Sequence, residues 1–298
     1  MTAFDQLGTE ARDAGGADLD LRSTIDLVEV MNAADATVPA AVGEASASIA
    51  ALVEAAAERL GAGGRLIYVG AGTSGLLAAL DAAECESTFG AAPDQVVALV
   101  AGAAATSTAD RDAAEDDAGA GAAEVEGLGL TADDVVVGIS ASGRSPYVLG
   151  ALDAARTTGA LTACVVCVED SPIAALAEHE VCVPVGPEVL AGSTRLKAGT
   201  AQKLVLNTIS TVTMIRLGKT YGNLLVDVAG TNEKLRARMR RIVGHATGAP
   251  AEQVDDALAA ADGEAKVAIV SLLTGLEASD ARARLREAGG VVRRALGT

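Results

Sequence analysis

Two short stretches combine glycine with small hydrogen-bond donors in a way that suits an oxyanion. The first, Tyr68-Val69-Gly70-Ala71-Gly72-Thr73-Ser74-Gly75, follows an apolar run and opens a helical pattern. Glycines let the backbone approach a ligand closely, the first amides of a helix have no partner inside it, and Thr73 and Ser74 add hydroxyls. The second, Gly138-Ile139-Ser140-Ala141-Ser142-Gly143-Arg144-Ser145-Pro146, stands in the same relation to another apolar run. Ser140, Ser142, Ser145, the backbone at Gly143 and the Arg144 guanidinium together offer the donors that recognise a phosphate or vicinal hydroxyls. An ordinary serine-rich turn is the plain alternative, and the presence of two such turns favours a ligand. Gly70-x-Gly72-x-x-Gly75 also fits a dinucleotide loop letter for letter. However, the following apolar run ends in Val100-Ala101-Gly102 rather than in an acid that could hold a ribose.

A third polar stretch, residues 192–203, carries Arg195, Lys197 and Lys203 in a chain otherwise short of cations, and Lys197 is a candidate partner for an anionic substrate. Two carboxylates adjoin the loops in sequence: Glu84 at the end of the helix that the first loop opens, and Glu115 after the second strand-length run. Elements that follow neighbouring parallel strands meet above the strands' carboxyl ends, so both acids can be expected at one pocket, where two carboxylates can divide the work of acid and base. Solvated acids on Ala-rich helices are the alternative.

Positioning these groups requires a sheet with helices on both faces. Apolar runs at Arg65–Val69, Val96–Val100, Asp134–Ile139, Leu161–Val168 and Val181–Val185 alternate with helical patterns at Leu76–Glu84, Ala109–Val125, Pro146–Thr157 and Pro172–Ala177. This alternation predicts an α/β fold, a doubly wound parallel five-stranded sheet. Leu27–Met31 and Val38–Leu60 predict N-terminal helices, and Ala201–Leu217 a long helix. Thr231–Val243 predicts another helix, capped by Thr231 or Asn232. After Gly248–Pro250, the patterns at Ala251–Ala261, Gly263–Thr274 and Ala278–Leu296 predict a small helical bundle. The expected domains are therefore residues 1–247 and 248–298.

Composition narrows the function classes. The formal charge is −17, which opposes binding to nucleic acid or an anionic membrane, and the basic run Lys234–Arg241 reads as a solvated helix face. No window of about eighteen apolar residues and no basic, apolar leader is visible, so a cytoplasmic protein is expected. The acid excess, with only five Lys, also leans toward a salt-adapted cell. Cys164 and Cys167 form a CxxC inside an apolar strand pattern. Residues three apart on a strand face opposite ways, so neither a metal nor a redox role is expected.

From about Leu7 to Leu296 the chain resembles the N-acetylmuramic acid 6-phosphate etherases, members of the sugar isomerase domain superfamily. The resemblance is densest in Arg65–Gly75, Asp81–Cys85, Ser142–Leu149, Arg195–Asn207 and Gly222–Val228. It implies cleavage of the lactyl ether of a phosphorylated amino sugar to N-acetylglucosamine 6-phosphate and D-lactate, without metal or redox cofactor, by a homodimer. By this resemblance Glu84 matches the group that protonates the departing lactate, and Glu115 the second catalytic carboxylate, the base. Gly72, Thr73, Ser74, Ser140, Ser142, Gly143, Arg144 and Ser145 would hold the phosphate and sugar.

The chain departs from the pattern at Leu76, where an arginine is usual, and at Glu86 and Ser87, where two prolines are. Losing a cation and gaining an acid bears on affinity for a doubly anionic substrate. Two other functions share the expected fold. A sugar-phosphate isomerase would turn over without forming lactate, and a sugar-phosphate sensor would bind without turnover.

Overall fold

A computed structural model describes residues 11, 16, 18–105, 107–227 and 233–297. Cα packing divides the chain into two compact units, Met1–Ala82 with Asp94–Ser210, and Ala83–Pro93 with Thr211–Thr298.

In the first unit the apolar runs form β1 (Leu66–Gly70), β2 (Val96–Val100), β3 (Val135–Ser140), β4 (Leu161–Val166) and β5 (His179–Cys182). All pair in parallel in the order β2-β1-β3-β4-β5. Every residue of β1, β3 and β4 is buried, which is why these strands read as unbroken apolar runs rather than as alternating ones. On one face Ile67, Val69, Val136, Cys164 and Val166 pack with Val148, Ala151 and Leu152 of α7 (Pro146–Arg156) and Val125 of α6 (Ala118–Gly127).

Several boundaries differ from expectation for local reasons. The expected helix at Ala109–Val125 is two, α5 (Thr108–Glu115) and α6, because the Asp117 carboxylate accepts from Ala120 N at 2.9 Å and starts a new helix there. Strand β5 begins at His179 rather than Val181, since an edge strand tolerates polar residues. Pro172–Ala177 makes only a 3₁₀ turn at Ala174–Leu176. Before the sheet lie α1 (Thr24–Asp35), α2 (Val38–Glu44) and α3 (Ser46–Gly61). Helix α4 (Gly72–Phe89) starts inside the first loop, not at Leu76.

Arg65 and Asp134, the residues that lead into β1 and β3, are clamped together. Asp134, 1% exposed, accepts from Arg65 N at 2.8 Å, from Arg65 Nε at 3.0 Å, from Arg65 Nη2 at 2.8 Å and from Thr131 N at 2.8 Å. Burial alone would raise this carboxylate. The Arg65 guanidinium and the two backbone N–H donors outweigh burial and hold it below its ordinary value.

Helix α8 (Lys197–Arg216) runs from the first unit into the second. The second unit holds a two-residue β-hairpin, β6 (Thr220–Tyr221) with β7 (Leu224–Leu225), that was not anticipated from the sequence. It also holds α9 (Glu233–Thr247), α10 (Ala251–Ala260), α11 (Ala265–Thr274), α12 (Ala278–Glu287) and α13 (Val292–Leu296). The last two replace the single helix expected over Ala278–Leu296, parted by Gly289 and Gly290, both at positive φ. Met239, Ile242 and Val243 of α9 share one core with Val254, Ile269 and Leu285, so the boundary expected between residues 247 and 248 falls inside this unit. The cap expected at Thr231 or Asn232 lies outside the described residues.

Candidate functional site

The order β2-β1-β3-β4-β5 fixes where a ligand should sit. Strand β1 connects forward to β2 on one flank, whereas β3, on its other flank, connects onward to β4. The loops after β1 and β3 therefore diverge and leave a crevice at the strands' carboxyl ends. Gly70 and Ile139 are direct partners across β1 and β3, so the two loops singled out in the sequence flank this switch point.

The first loop is tight because its glycines touch. A Cβ on Gly70 would stand 2.8 Å from Gly75 N, and one on Gly75 would stand 2.7 Å from both Gly70 O and Val100 Cγ1. Gly72 differs: its φ is +52° and a Cβ there would meet nothing within 4 Å, so the start of α4 opens onto free space. Thr73 is half-buried; Ser74, 7% exposed, donates to Gln202 Oε1 at 3.0 Å. Further along α4, Asp81 accepts from Tyr68 Oη at 3.1 Å, from Asn207 Nδ2 at 2.6 Å and from Ser210 Oγ at 3.0 Å, which ties α4 to β1 and to α8.

In the second loop Ser140 Oγ accepts from Gly143 N at 3.1 Å and lies 3.5 Å from Ser142 Oγ. Gly143 has φ +64°, and a Cβ on it would be 2.3 Å from Ser171 Cβ. Ser145 precedes α7, yet its hydroxyl does not cap the helix. Ser145 Oγ and Arg144 Nε are instead buried without a hydrogen-bond partner, as is Gln202 Nε2. Unsatisfied buried donors are costly, which makes Arg144, Ser145 and Gln202 candidates to meet a polar ligand. Gly143→Ala is expected to cost about 2 kcal/mol or more, from left-handed backbone strain and overlap with Ser171. Chemical denaturation reads that loss, and a rise in substrate KM should accompany it.

Lys197 is held by backbone at the start of α8, in the turn where a Cβ on Gly199 would lie 3.4 Å from Thr73 Cγ2. It is 8% exposed, and its ammonium donates to Val185 O at 2.6 Å. The N–H groups of Lys197 and Ala198 donate to Glu188 at 3.0 and 2.9 Å, so this buried acid caps α8. The sequence reading missed Glu188, Asp81 and the separate role of Gln202. A glutamine within the apolar spacing of a long helix was the one visible signal.

Glu115 ends α5 in the first unit. The residue is exposed, but burial of its carboxyl, and then the charges of Asp116 and Asp112, push it above the usual carboxylate range. Glu84 is exposed on α4 and belongs to the second unit. Leu76, at the position of the expected arginine, is 66% exposed on the same helix. Among the described residues no group of three or more His, Cys, Asp or Glu could hold a metal ion. Cys164 ends up on β4 and Cys167 just beyond it, and burial pushes both thiols up to about 12.

Known proteins resemble the chain in sequence and in fold. The glucokinase regulatory protein N-terminal SIS domain matches residues 46–156, and the SIS domain matches residues 119–211. The N-acetylmuramic acid 6-phosphate etherase of Streptomyces avermitilis is 54% identical over 98% of this chain and 94% of its own length. The chain belongs to the N-acetylmuramic acid 6-phosphate etherase family. Etherases so named from Rubrobacter xylanophilus (54% identical, 98% of this chain, 96% of that one) and Mycolicibacterium smegmatis (50% identical, 98% of each) match at similar length. The etherase family's fold also appears in a phosphoheptose isomerase from Francisella tularensis. That structure has a TM-score of 0.50 at 17% identity and covers 65% of this chain and all of that one.

Proposed function

We propose that this protein cleaves the D-lactyl ether of N-acetylmuramic acid 6-phosphate, giving N-acetylglucosamine 6-phosphate and D-lactate. The observation that carries the reading is near-full-length identity to proteins bearing that name, and the two donor-bearing loops that follow the adjacent strands β1 and β3 support it. No helix among the described residues is by itself long and apolar enough to cross a membrane. A phosphorylated sugar does not cross a lipid bilayer unaided, so the reading carries a cytoplasmic location.

The chemistry follows from the substrate. In the open-chain sugar the ether oxygen on C3 is β to the aldehyde carbon, so removal of the C2 proton allows the C3–O bond to break and lactate to leave. Water then adds at C3 of the unsaturated aldehyde and a proton returns to C2, so atoms balance without a redox step. In this scheme Glu115 takes the C2 proton and Glu84 protonates the departing oxygen. The upward displacement of Glu115 makes it the stronger base once ionised. Gly72, Thr73, Ser74, Ser140, Ser142, Gly143, Arg144 and Ser145 bind the phosphate and sugar, and Lys197 supports the chain beside them.

A homodimer fits this reading. Leu76 and Leu80, one turn apart on α4, are 66% and 56% exposed and offer an apolar strip that a second copy would cover. Sedimentation at micromolar concentration reads the assembly directly, and a monomer there would contradict it.

The function is tested by incubating the purified protein with N-acetylmuramic acid 6-phosphate and measuring D-lactate. Release is expected from this substrate and not from its unphosphorylated form; isomerised sugar without lactate, or binding alone, would overturn the proposal. The pH profile carries a second expectation. Glu115 must be ionised to accept a proton, and its pKa is raised, so kcat/KM should fall on acidification at a pH above the ordinary carboxylate range. An acid limb at or below the ordinary glutamate value of about 4.3 would remove Glu115 as the base.

A further inference from the structure

Gln202, in the second turn of α8, is 1% exposed, and its amide meets Ser74: the serine hydroxyl donates to Oε1 at 3.0 Å. That arrangement leaves Nε2 of the same amide buried with no partner. An amide nitrogen carries two donors, and keeping them dry is as costly as losing a hydrogen bond outright. Turning the amide over about its last bond exchanges oxygen and nitrogen at nearly unchanged atomic positions. Nε2 then donates to Ser74 Oγ, and the serine proton is free to point elsewhere. Without a ligand the turn gains little, because the second N–H, the carbonyl oxygen and the serine proton are then all unpaired; an acceptor beside Ser74 supplies what is missing.

Ser74 sits in the first turn of α4, where the helix amides are unpaired and the open side of Gly72 gives access. An ionised phosphoryl group arriving there accepts hydrogen bonds and has no proton to return, so it binds Ser74 well only if the serine donates. While Ser74 gives its proton to Oε1, it cannot donate to the anion.

We infer that Gln202 is a positioning residue for phosphate capture. In the empty site the Ser74 hydroxyl donates to Oε1. With a phosphoryl group bound the amide is turned, Nε2 donates to Ser74 Oγ, and Ser74 donates to a phosphoryl oxygen. No proton changes owner; two groups rotate, and an amide donor that was unpaired gains a partner as the anion does. The inference rests on the proposal that Ser74 is a phosphate ligand, and it adds a device that favours a phosphorylated sugar over its neutral counterpart.

The test is a double-mutant cycle read by calorimetric binding of inorganic phosphate to the full chain, with Gln202→Glu, Ser74→Ala and the pair. A carboxylate only accepts, so the introduced group keeps the serine proton, and phosphate Kd should rise by about tenfold or more. In the Ser74→Ala background the same change should cost less than about threefold, because the hydroxyl it captures is gone. With substrate, Gln202→Glu should raise KM and leave kcat nearly unchanged. Equal losses in both backgrounds would mean that the new charge simply repels phosphate, and would overturn the relay. So would unaltered affinity in Gln202→Glu, or failure of the unsubstituted protein to bind phosphate at millimolar concentrations. Should the acidic variant fail to fold, the cycle is run with Gln202→Met, which removes both the acceptor and the donors without adding charge; any change in phosphate Kd should vanish once Ser74 is alanine, and a change that persists there, or no change with Ser74 present, overturns the relay. Phosphate binding needs no turnover, so absence of lactate release from the unsubstituted protein would count against the etherase reading alone.

Discussion

Glu84→Gln is expected to lower kcat for lactate release by about 10² to 10⁴, the contribution of a positioned acid to a departing oxygen that leaves poorly as an alkoxide. Glutamine keeps the shape of the side chain and loses the transferable proton. Glu84 is exposed on α4, and the structure assigns its carboxylate no packing role. The variant should therefore match the unsubstituted protein in thermal stability to within about 0.5 kcal/mol, and KM should change little. This combination separates loss of chemistry from loss of fold. Full turnover by the variant would remove Glu84 from the mechanism, whereas a large stability loss would show that the residue does structural work on α4.

The second large effect is on folding. Asp134→Ala should destabilise the protein by about 3 to 4 kcal/mol, because it strips a half-buried guanidinium and two backbone N–H groups of one acceptor. The Arg65–Asp134 pair is close to fully dry on the acid's side, with side-chain exposures of 24% and 2%. Arg65 keeps its bonds to the carbonyls of Leu128 and Gly129, so the guanidinium is not left wholly unpaired, which limits the loss. The pH dependence has a definite sign. The folded state lowers the Asp134 pKa, so its contribution is complete above the unfolded value of about 3.9 and is lost as pH falls through the lower folded value. Denaturant unfolding of the parent should thus lose stability on strong acidification, and Asp134→Ala should lack that part of the loss. Because the pair joins the residues leading into β1 and β3, its removal should also loosen the two loops at the far ends of those strands.

The central strands and both donor loops were legible from sequence for a common reason. Burial on both faces makes β1 and β3 continuous apolar runs, and the glycines and serines that follow them stand out against that apolar background. Where the reading slipped, local polar chemistry had overridden periodicity. The break between α5 and α6 is set by one side chain, Asp117, capping Ala120 in a stretch whose spacing continues across it. The start of β5 was missed because His179 and Glu180 sit on an edge strand, where polarity carries no penalty. Lys197 could not be assigned from sequence. Its charge suggests a ligand, and the structure adds that its ammonium donates to the Val185 carbonyl, a contact that spacing does not reveal. Gln202 was hidden for the opposite reason: it occupies a core position of α8, and only the unpaired nitrogen of its amide distinguishes it from a residue kept for packing.

The extent of the second unit shows the same limit. The proline and glycine near residue 249 suggested a domain boundary, yet α9 contributes Met239, Ile242 and Val243 to the core of the helices that follow. The charge pattern of α9 concealed this, because a helix rich in Arg presents few apolar residues, and those few lie on one stripe.

The most direct test of the account is to follow the reaction with N-acetylmuramic acid 6-phosphate in water enriched in oxygen-18 and deuterium. Elimination followed by water addition predicts oxygen-18 in the C3 hydroxyl of N-acetylglucosamine 6-phosphate, deuterium at its C2, and D-lactate that carries no oxygen-18. Oxygen-18 in the lactate hydroxyl, with the sugar's C3 oxygen unlabelled, would mean that the other side of the ether is cleaved and would contradict the account.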